Sequence, residues 1–261
     1  MQPRFYYVIH LQYLGFRYSG WQKQPGQRTV ESMLIKTLKF IIPDRKIKIL
    51  SAGRTDAKVS ALDMAFELFV WGTPIDNLIE FVILFNKNLP PDIRVLHMHE
   101  VDSSFNIIQH SKQKEYVYLF SFGQKNHPFA APFMANIMDE LDVSLMQEGA
   151  CLFVGTHNFS CYTARPQENT KVIRTLTHCT ISPNTYLTAN FFPKKSYALC
   201  MASEGFMRYQ VRMIMGALIL LGKGALSLDA IAASLTGGKA LAISFVAPGS
   251  GLVLNKTEFK S

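Results

Sequence analysis

Between residues 53 and 61 the chain reads Gly-Arg-Thr-Asp-Ala-Lys-Val-Ser-Ala, the densest polar run of its first half. This sets the carboxylate of Asp56 two residues from the guanidinium of Arg54. A nearby opposite charge favours the ionised carboxylate, the form that a nucleophile or a proton acceptor needs. So short a motif also describes a surface turn with an incidental ion pair. Two more clusters lie in the second half. Tyr116 and Tyr118 alternate in Lys114-Glu115-Tyr116-Val117-Tyr118, so in a strand both rings share a face, to stack on a planar ligand or to pack in a core. Arg208 and Arg212 are four apart, which on a helix puts two planar forks on one side. Like charges so placed repel unless an anion sits opposite, so the pair reads as a carboxylate or phosphate clamp, or as a solvated helix edge.

The flanking patterns say what positions these groups. Phe5, Tyr7, Ile9, Leu11 and Tyr13 recur at every second position, the period of a half-buried strand. Gly15 to Gly26, with Gly20 and Pro25 between, reads as a loop; in it Arg17, Trp21, Gln22 and Lys23 combine hydrogen-bond donors with an aromatic ring. Val30, Met33, Leu34, Leu38 and Ile41 have helical spacing behind Thr29 as N-cap. Strands over 47–52 and 65–71 then place Asp56 in a strand-to-strand connection. Thr73-Pro74-Ile75-Asp76 announces a second helix running to Phe85, and 93–101 is a further strand. The result is β-α-β-β-α-β. The second half predicts strands over 116–122, 172–181, 197–203 and 251–257, with helices over 143–153, 206–221 and 228–235. Lys112 and Lys114 flank the tyrosines as candidate phosphate contacts. The reading is an α+β fold of two domains, 1–108 and 109–261.

Composition narrows the partners. Lys plus Arg number 27 against 19 Asp plus Glu, a net charge of +8, and 48% of residues are apolar with 18% charged. Such a chain buries a core, and its positive excess favours a polyanion. The longest apolar run, Met213 to Leu221, is far short of the ~20 residues that cross a bilayer, so no membrane partner is expected. Cys151, Cys161, Cys179 and Cys200 are widely spaced, which supports neither zinc nor a disulfide framework and fits a reducing cytoplasm. No phosphate-loop or dinucleotide motif occurs, so no nucleotide cofactor is expected.

Gly53 to Ala61 closely resembles the G-R-T-D-[AK]-G-V-[HS]-A signature of the TruA family of tRNA pseudouridine synthases. Tyr13 to Gln24 is similar to that family's Y-D-G-x-x-Y-x-G-W-Q-x-Q, Asn88 to Val95 to its N-x-x-L-P-x-D-I-x-V, Phe153 to Phe159 to F-x-G-x-H-D-F, and Ala247 to Leu252 to A-P-x-x-G-L. Phe206 to Gly216 resembles its F-[LV]-x-x-M-V-R-x-[IM]-[VM]-G helix, and the Tyr116 strand its R-x-Y-x-Y. The resemblance implies a pseudouridine synthase fold: two α+β halves with mainly antiparallel sheets, helices on one face and an active-site cleft between them. It implies isomerisation of uridine in tRNA, in the anticodon stem-loop, without metal or other cofactor, by a cytoplasmic homodimer. Asp56 falls at the catalytic Asp, Arg212 at the Arg that pairs with it, and Tyr116 at the active-site Tyr, with Arg54 as a second cation near Asp56. Tyr118, Arg208, Arg17, Trp21, Lys112 and Lys114 join Tyr116 as candidate substrate contacts. Three routes remain open for Asp56: attack on C1′, addition to C6, or removal of the 2′ proton. A base must leave its stack to reach such a carboxylate, which costs a few kcal/mol, and a stacked ring offsets it.

The departures are specific. Leu14 replaces the Asp of Y-D-G, Lys58 stands where Gly is usual, and Ser60 where bacterial sequences carry His. Phe105 to Lys112 lacks the basic A-R-x-S-A-x-x-R character. A binding protein that has lost catalysis, or a synthase acting on another RNA, are therefore the alternatives.

Overall fold

The computed structural model describes residues 2–237, 243 and 245–260. They form two compact units, one of residues up to 112 with 254–260, the other of residues 113–253.

In the first unit the alternating N-terminal segment is β1 (Arg4–Tyr13). Thr29 caps α1 (Val30–Ile41) by accepting from Ser32 N, and Ser32 returns the bond to the cap. β2 (Ile47–Ser51) and β3 (Ser60–Trp71) follow, then α2 (Leu78–Asn88) and β4 (Ile93–Val101). The order β4-β1-β3 is antiparallel, and β2 pairs with β3 from Phe66 to Val70. The end of the last strand, β10 (Leu252–Phe259), also runs beside β3, where Thr257 Oγ1 donates to Asp63 O at 3.3 Å.

Two expectations change. The second helix starts at Leu78, not at the Thr-Pro pair, because the Asn77 side chain accepts from Ile79 N and Glu80 N. And β1 is buried on both faces rather than one. Tyr7, Ile9 and Leu11 are buried on the helix side, where the Tyr7 hydroxyl accepts from Ile75 N ahead of α2. Val8 packs on the other side with Ala52, Ala65 and Ile107, covered by Phe105 and Phe259.

The second unit is built on β5 (Ser111–Phe122), whose residues from 113 onward belong to it. Then come β6 (Ala135–Ile137), α3 (Val143–Cys151), β7 (Gly155–Asn158), β8 (Ile173–Pro183) and β9 (Tyr197–Ser203). α4 (Gln210–Gly222) and α5 (Leu228–Ser234) complete it. The order β5-β9-β8-β7 is antiparallel, with β6 parallel to β5. α4 is the core helix: Ile214, Met215, Leu218 and Ile219 are wholly buried. Among the described residues no helix is long and apolar enough to cross a membrane.

Candidate active site

In the first unit three of the motifs meet. The Gly53–Ala61 loop links β2 to β3, and Thr55 turns into the core, its hydroxyl 2.8 Å from that of Tyr13. Trp21 N donates to Thr55 O at 3.0 Å and Lys58 N to Tyr18 O at 3.0 Å, so the loop of residues 14–26 is laced to the Asp56 loop through backbone. The approach needs glycine: a Cβ on Gly15 would fall 1.8 Å from Val59 O. Val59 N closes a turn onto Asp56 O at 3.2 Å, and Asp56 is half-buried. The third motif enters through Asp92, which sequence reasoning missed although it lies inside the Leu-Pro-Pro-Asp turn. Its carboxylate accepts from Tyr18 Oη at 2.6 Å and from Arg17 Nη2 at 2.8 Å, and its carbonyl from Leu14 N at 3.0 Å. Burial opposes ionisation there, but the bonds from Tyr18 and Arg17 outweigh it and hold the carboxyl below its usual value. The Tyr18 hydroxyl is pushed up to about 12 by burial and by that carboxylate.

In the second unit Tyr116 pairs with Met201 of β9, and its ring meets Phe206 edge-on at 5.1 Å. Tyr209, the N-cap of α4, sits in the left-handed region at φ 64°, a conformation that strains a non-glycine residue and is found disproportionately at functional sites. Its ring carries two guanidinium groups, Arg212 at 4.7 Å and Arg208 at 5.3 Å from the centroid. Arg212 is half-buried, and its Nε donates to Ala247 O at 2.7 Å, which ties the Ala-Pro-x-x-Gly-Leu segment to the helix. A Cβ on Gly216, one turn on, would fall 1.9 Å from Phe245 O. Tyr209 was not anticipated; its signal was an aromatic ring between two arginines.

The structure thus sorts the candidates. Arg54, Asp56, Arg17, Trp21 and Lys112 lie in the first unit, and Lys114, Tyr116, Tyr118, Arg208 and Arg212 in the second. Several placements correct the sequence reading. Arg54 is exposed and makes no ion pair with Asp56. Trp21 is 2% exposed, packed between Tyr13 and Phe66, and has no face to offer RNA. Tyr118 is also wholly buried, its hydroxyl donating to Pro248 O at 2.8 Å; it packs in the core, as the alternative reading of a Tyr-x-Tyr strand allowed. Arg208 precedes the helix, since the left-handed Tyr209 delays its start to Gln210, so the two arginines share a ring rather than a helical face. Arg17 is committed to Asp92. Lys112 is exposed, 4.0 Å from Glu258, whereas Lys114 is half-buried and burial lowers its pKa, with Glu204 opposing. In segment 105–112, Phe105 and Ile107 cover the sheet, and Ile107 N donates to Glu67 Oε2 at 3.3 Å.

The profile of the tRNA pseudouridine synthase family matches residues 150–260, a span that includes Arg208, Arg212 and the Ala247–Leu252 segment. Likeness to individual proteins extends over both units. The tRNA pseudouridine synthase A of Thermodesulfovibrio yellowstonii is 32% identical over 253 residues, covering 94% of this chain and 96% of that protein. The chain belongs to this family. Those of Shouchella clausii and Dictyoglomus thermophilum are each 30% identical, covering 95% and 96% of this chain and 91% and 98% of the relatives. The α+β architecture, with five helices and mostly antiparallel pairing among the described residues, is that of a tRNA pseudouridine synthase.

Proposed function

We propose that this chain isomerises uridine to pseudouridine in tRNA, with Asp56 as the catalytic carboxylate. The N1–C1′ bond breaks, the uracil turns, C5 joins C1′, and the proton lost from C5 is balanced by one gained at N1. No oxidant, reductant or group donor enters this balance. Each route open to Asp56 starts from its ionised form. Arg212, whose Nε donates to Ala247 O, has the planar fork that steadies a carboxylate. Tyr116, braced edge-on by Phe206, offers its ring to the uracil. Arg208 and the exposed Arg54 meet phosphates. The observation that carries this reading is the Asp56 loop itself, held by backbone bonds on both sides in a chain related along its length to tRNA pseudouridine synthases.

The reading extends to a division of labour, an N-terminal domain supplying the carboxylate and a C-terminal domain the Tyr and Arg, and to a cytoplasmic homodimer acting on the anticodon stem-loop. Pseudouridine mapping in tRNA from a strain lacking the gene, complemented by wild type or by Asp56→Ala, tests it. Wild type restores one or more sites and Asp56→Ala none; an unchanged map in the deletion strain removes the proposal. Tritium release from C5-labelled uridine by purified protein in a chelator separates a synthase from a protein that only binds RNA.

A further inference from the structure

We propose that the end of the first unit's sheet remote from Asp56 is a second contact surface for the substrate RNA, a grid of three cations and three aromatic rings. The inference rests on the RNA-modifying reading above. One row is Lys46, Trp71 and Arg4: Arg4 pairs with Trp71 across β1 and β3, and Trp71 N donates to Lys46 O at 3.0 Å. The next is Lys48, Phe69 and Tyr6, directly opposite one another on β2, β3 and β1. Residues opposite in antiparallel strands share a face, as do residues two apart, so all six side chains lie on one side of the sheet. This is the side of Val8, away from the helices. Phe105, Ile107 and Phe259 cover its middle, and the two outer rows stay open: Arg4, Lys46 and Lys48 are exposed and the three rings half-buried.

Each cation lies over a ring. Arg4 is 4.7 Å from the Tyr6 centroid and 5.8 Å from those of Phe69 and Trp71, Lys46 is 5.0 Å from Trp71, and Lys48 is 5.5 Å from Phe69. None of the three makes an ion pair among the described residues. Glu67, the carboxylate of the following row, is 1% exposed. Aromatic rings on an open sheet face, with long cationic side chains that can swing to phosphates, are what unpaired nucleotides stack on. A second copy of this chain fits worse, because an isologous contact would set these charges against the same charges. From Tyr13, which holds Thr55, to Arg4 the strand spans about 30 Å, so the surface grips RNA well away from the reacting uridine.

Trp71 is the reporter. The chain has two tryptophans, Trp21 and Trp71, and Trp21 is buried. An unmodified tRNA transcript is expected to quench the fluorescence of the half-buried Trp71, an oligouridylate ten-mer to do so more weakly, and Trp71→Phe to abolish the quench. The double variant Lys46→Ala, Lys48→Ala binds the transcript roughly fivefold more weakly at about 0.1 M salt, and its slope of log affinity against log salt is shallower by about 2. An unquenched Trp71 at saturating transcript, or wild-type affinity and slope in the double variant, overturns the proposal. So does self-association in sedimentation that the double variant loses while RNA affinity is unchanged. Pseudouridine formation without the quench sinks this surface alone. A quench without pseudouridine sinks the catalytic reading alone.

Discussion

The two units hold their motif residues by different physics. In the first, loops meet backbone to backbone, and a half-buried carboxylate, Asp92, gathers Arg17, Tyr18 and the chain entering from Leu14. In the second, a buried helix and its lead-in are wedged by rings: Tyr116 on Phe206, Tyr209 under two guanidinium groups, and Phe153 edge-on to Tyr162 at 5.1 Å. The shifted groups follow suit. Burial pushes up the Tyr118 hydroxyl and the Cys179 thiol, and takes Tyr162 to about 12, so these stay neutral near pH 7. Among the shifted carboxylates of the first unit, Asp92 and Glu67 move in opposite directions, Asp92 down and Glu67 up. A loop scaffold aimed by charge is sensitive to pH, and a ring-wedged helix is sensitive to shape.

The largest expected effects test the close approaches. Gly15→Ala puts a methyl 1.8 Å from Val59 O and Gly216→Ala one 1.9 Å from Phe245 O. In both the obstacle is backbone, which moves only with its element, so each costs about 3 kcal/mol. Gly216→Ala falls somewhat short of Gly15→Ala, because alanine regains about 1 kcal/mol of helix propensity. Urea midpoints of the two variants measure this; a wild-type midpoint in either would show that the contact yields.

Asp92→Asn is next, at about 2 kcal/mol, the loss of charge-assisted bonds at a half-buried site. Because the folded carboxyl is held below its usual value, its contribution is present above the unfolded pKa and disappears as pH falls through the folded one. Wild type therefore loses its advantage over the variant on acidification. Two stability curves that stay parallel into the acid range would contradict this.

What was legible in the sequence follows the same division. Alternation found β1, Thr29 announced α1, and the strands flanking Asp56 followed from their apolar runs, because these are local signals. The Thr-Pro cap of the second helix lost to Asn77, and the start of the fourth to a left-handed Tyr209 that no periodicity reveals. Motifs named Asp56, Tyr116 and Arg212, and the roles proposed for them rest on those motifs. Burial was not legible: Trp21 and Tyr118 look like ligands on paper because a ring in a polar loop or an alternating strand reads the same whether it faces solvent or core. Asp92 was hidden for the converse reason, since its partners are 74 and 75 residues away.

Glu67→Gln sharpens the contrast within the first unit, by about 1 kcal/mol in favour of the variant at pH 7. Burial raises the Glu67 pKa, against Ile107 N, Lys48 and Arg4, and Oε1 has no hydrogen-bond partner. A raised folded value makes the ionised form a cost above that pKa. The gain of the amide thus shrinks as pH drops and Glu67 takes up its proton. The pH trend of the stability difference is opposite in sense to that of Asp92→Asn, and a gain that grows on acidification would refute the assignment.

The smallest effect concerns the position where this sequence departs from its family's glycine. Lys58 has φ 67°, and a side chain there costs about 1–2 kcal/mol. Lys58→Gly removes that strain but gains unfolded-chain entropy, which returns about 0.4–1 kcal/mol. It also loses the ammonium 5.6 Å over the Phe16 ring, an exposed cation–π pair worth about 0.5 kcal/mol. The net expectation is a rise of about 0.5 kcal/mol or less. Lys58→Ala separates the causes, because it removes the ammonium and keeps the strained backbone. Chemical denaturation should rank Gly above Lys and Lys above Ala. If Ala equals Gly, the left-handed turn beside Asp56 is not what Lys58 strains, and the loop of the first unit is looser than its backbone bonds to residues 18 and 21 require.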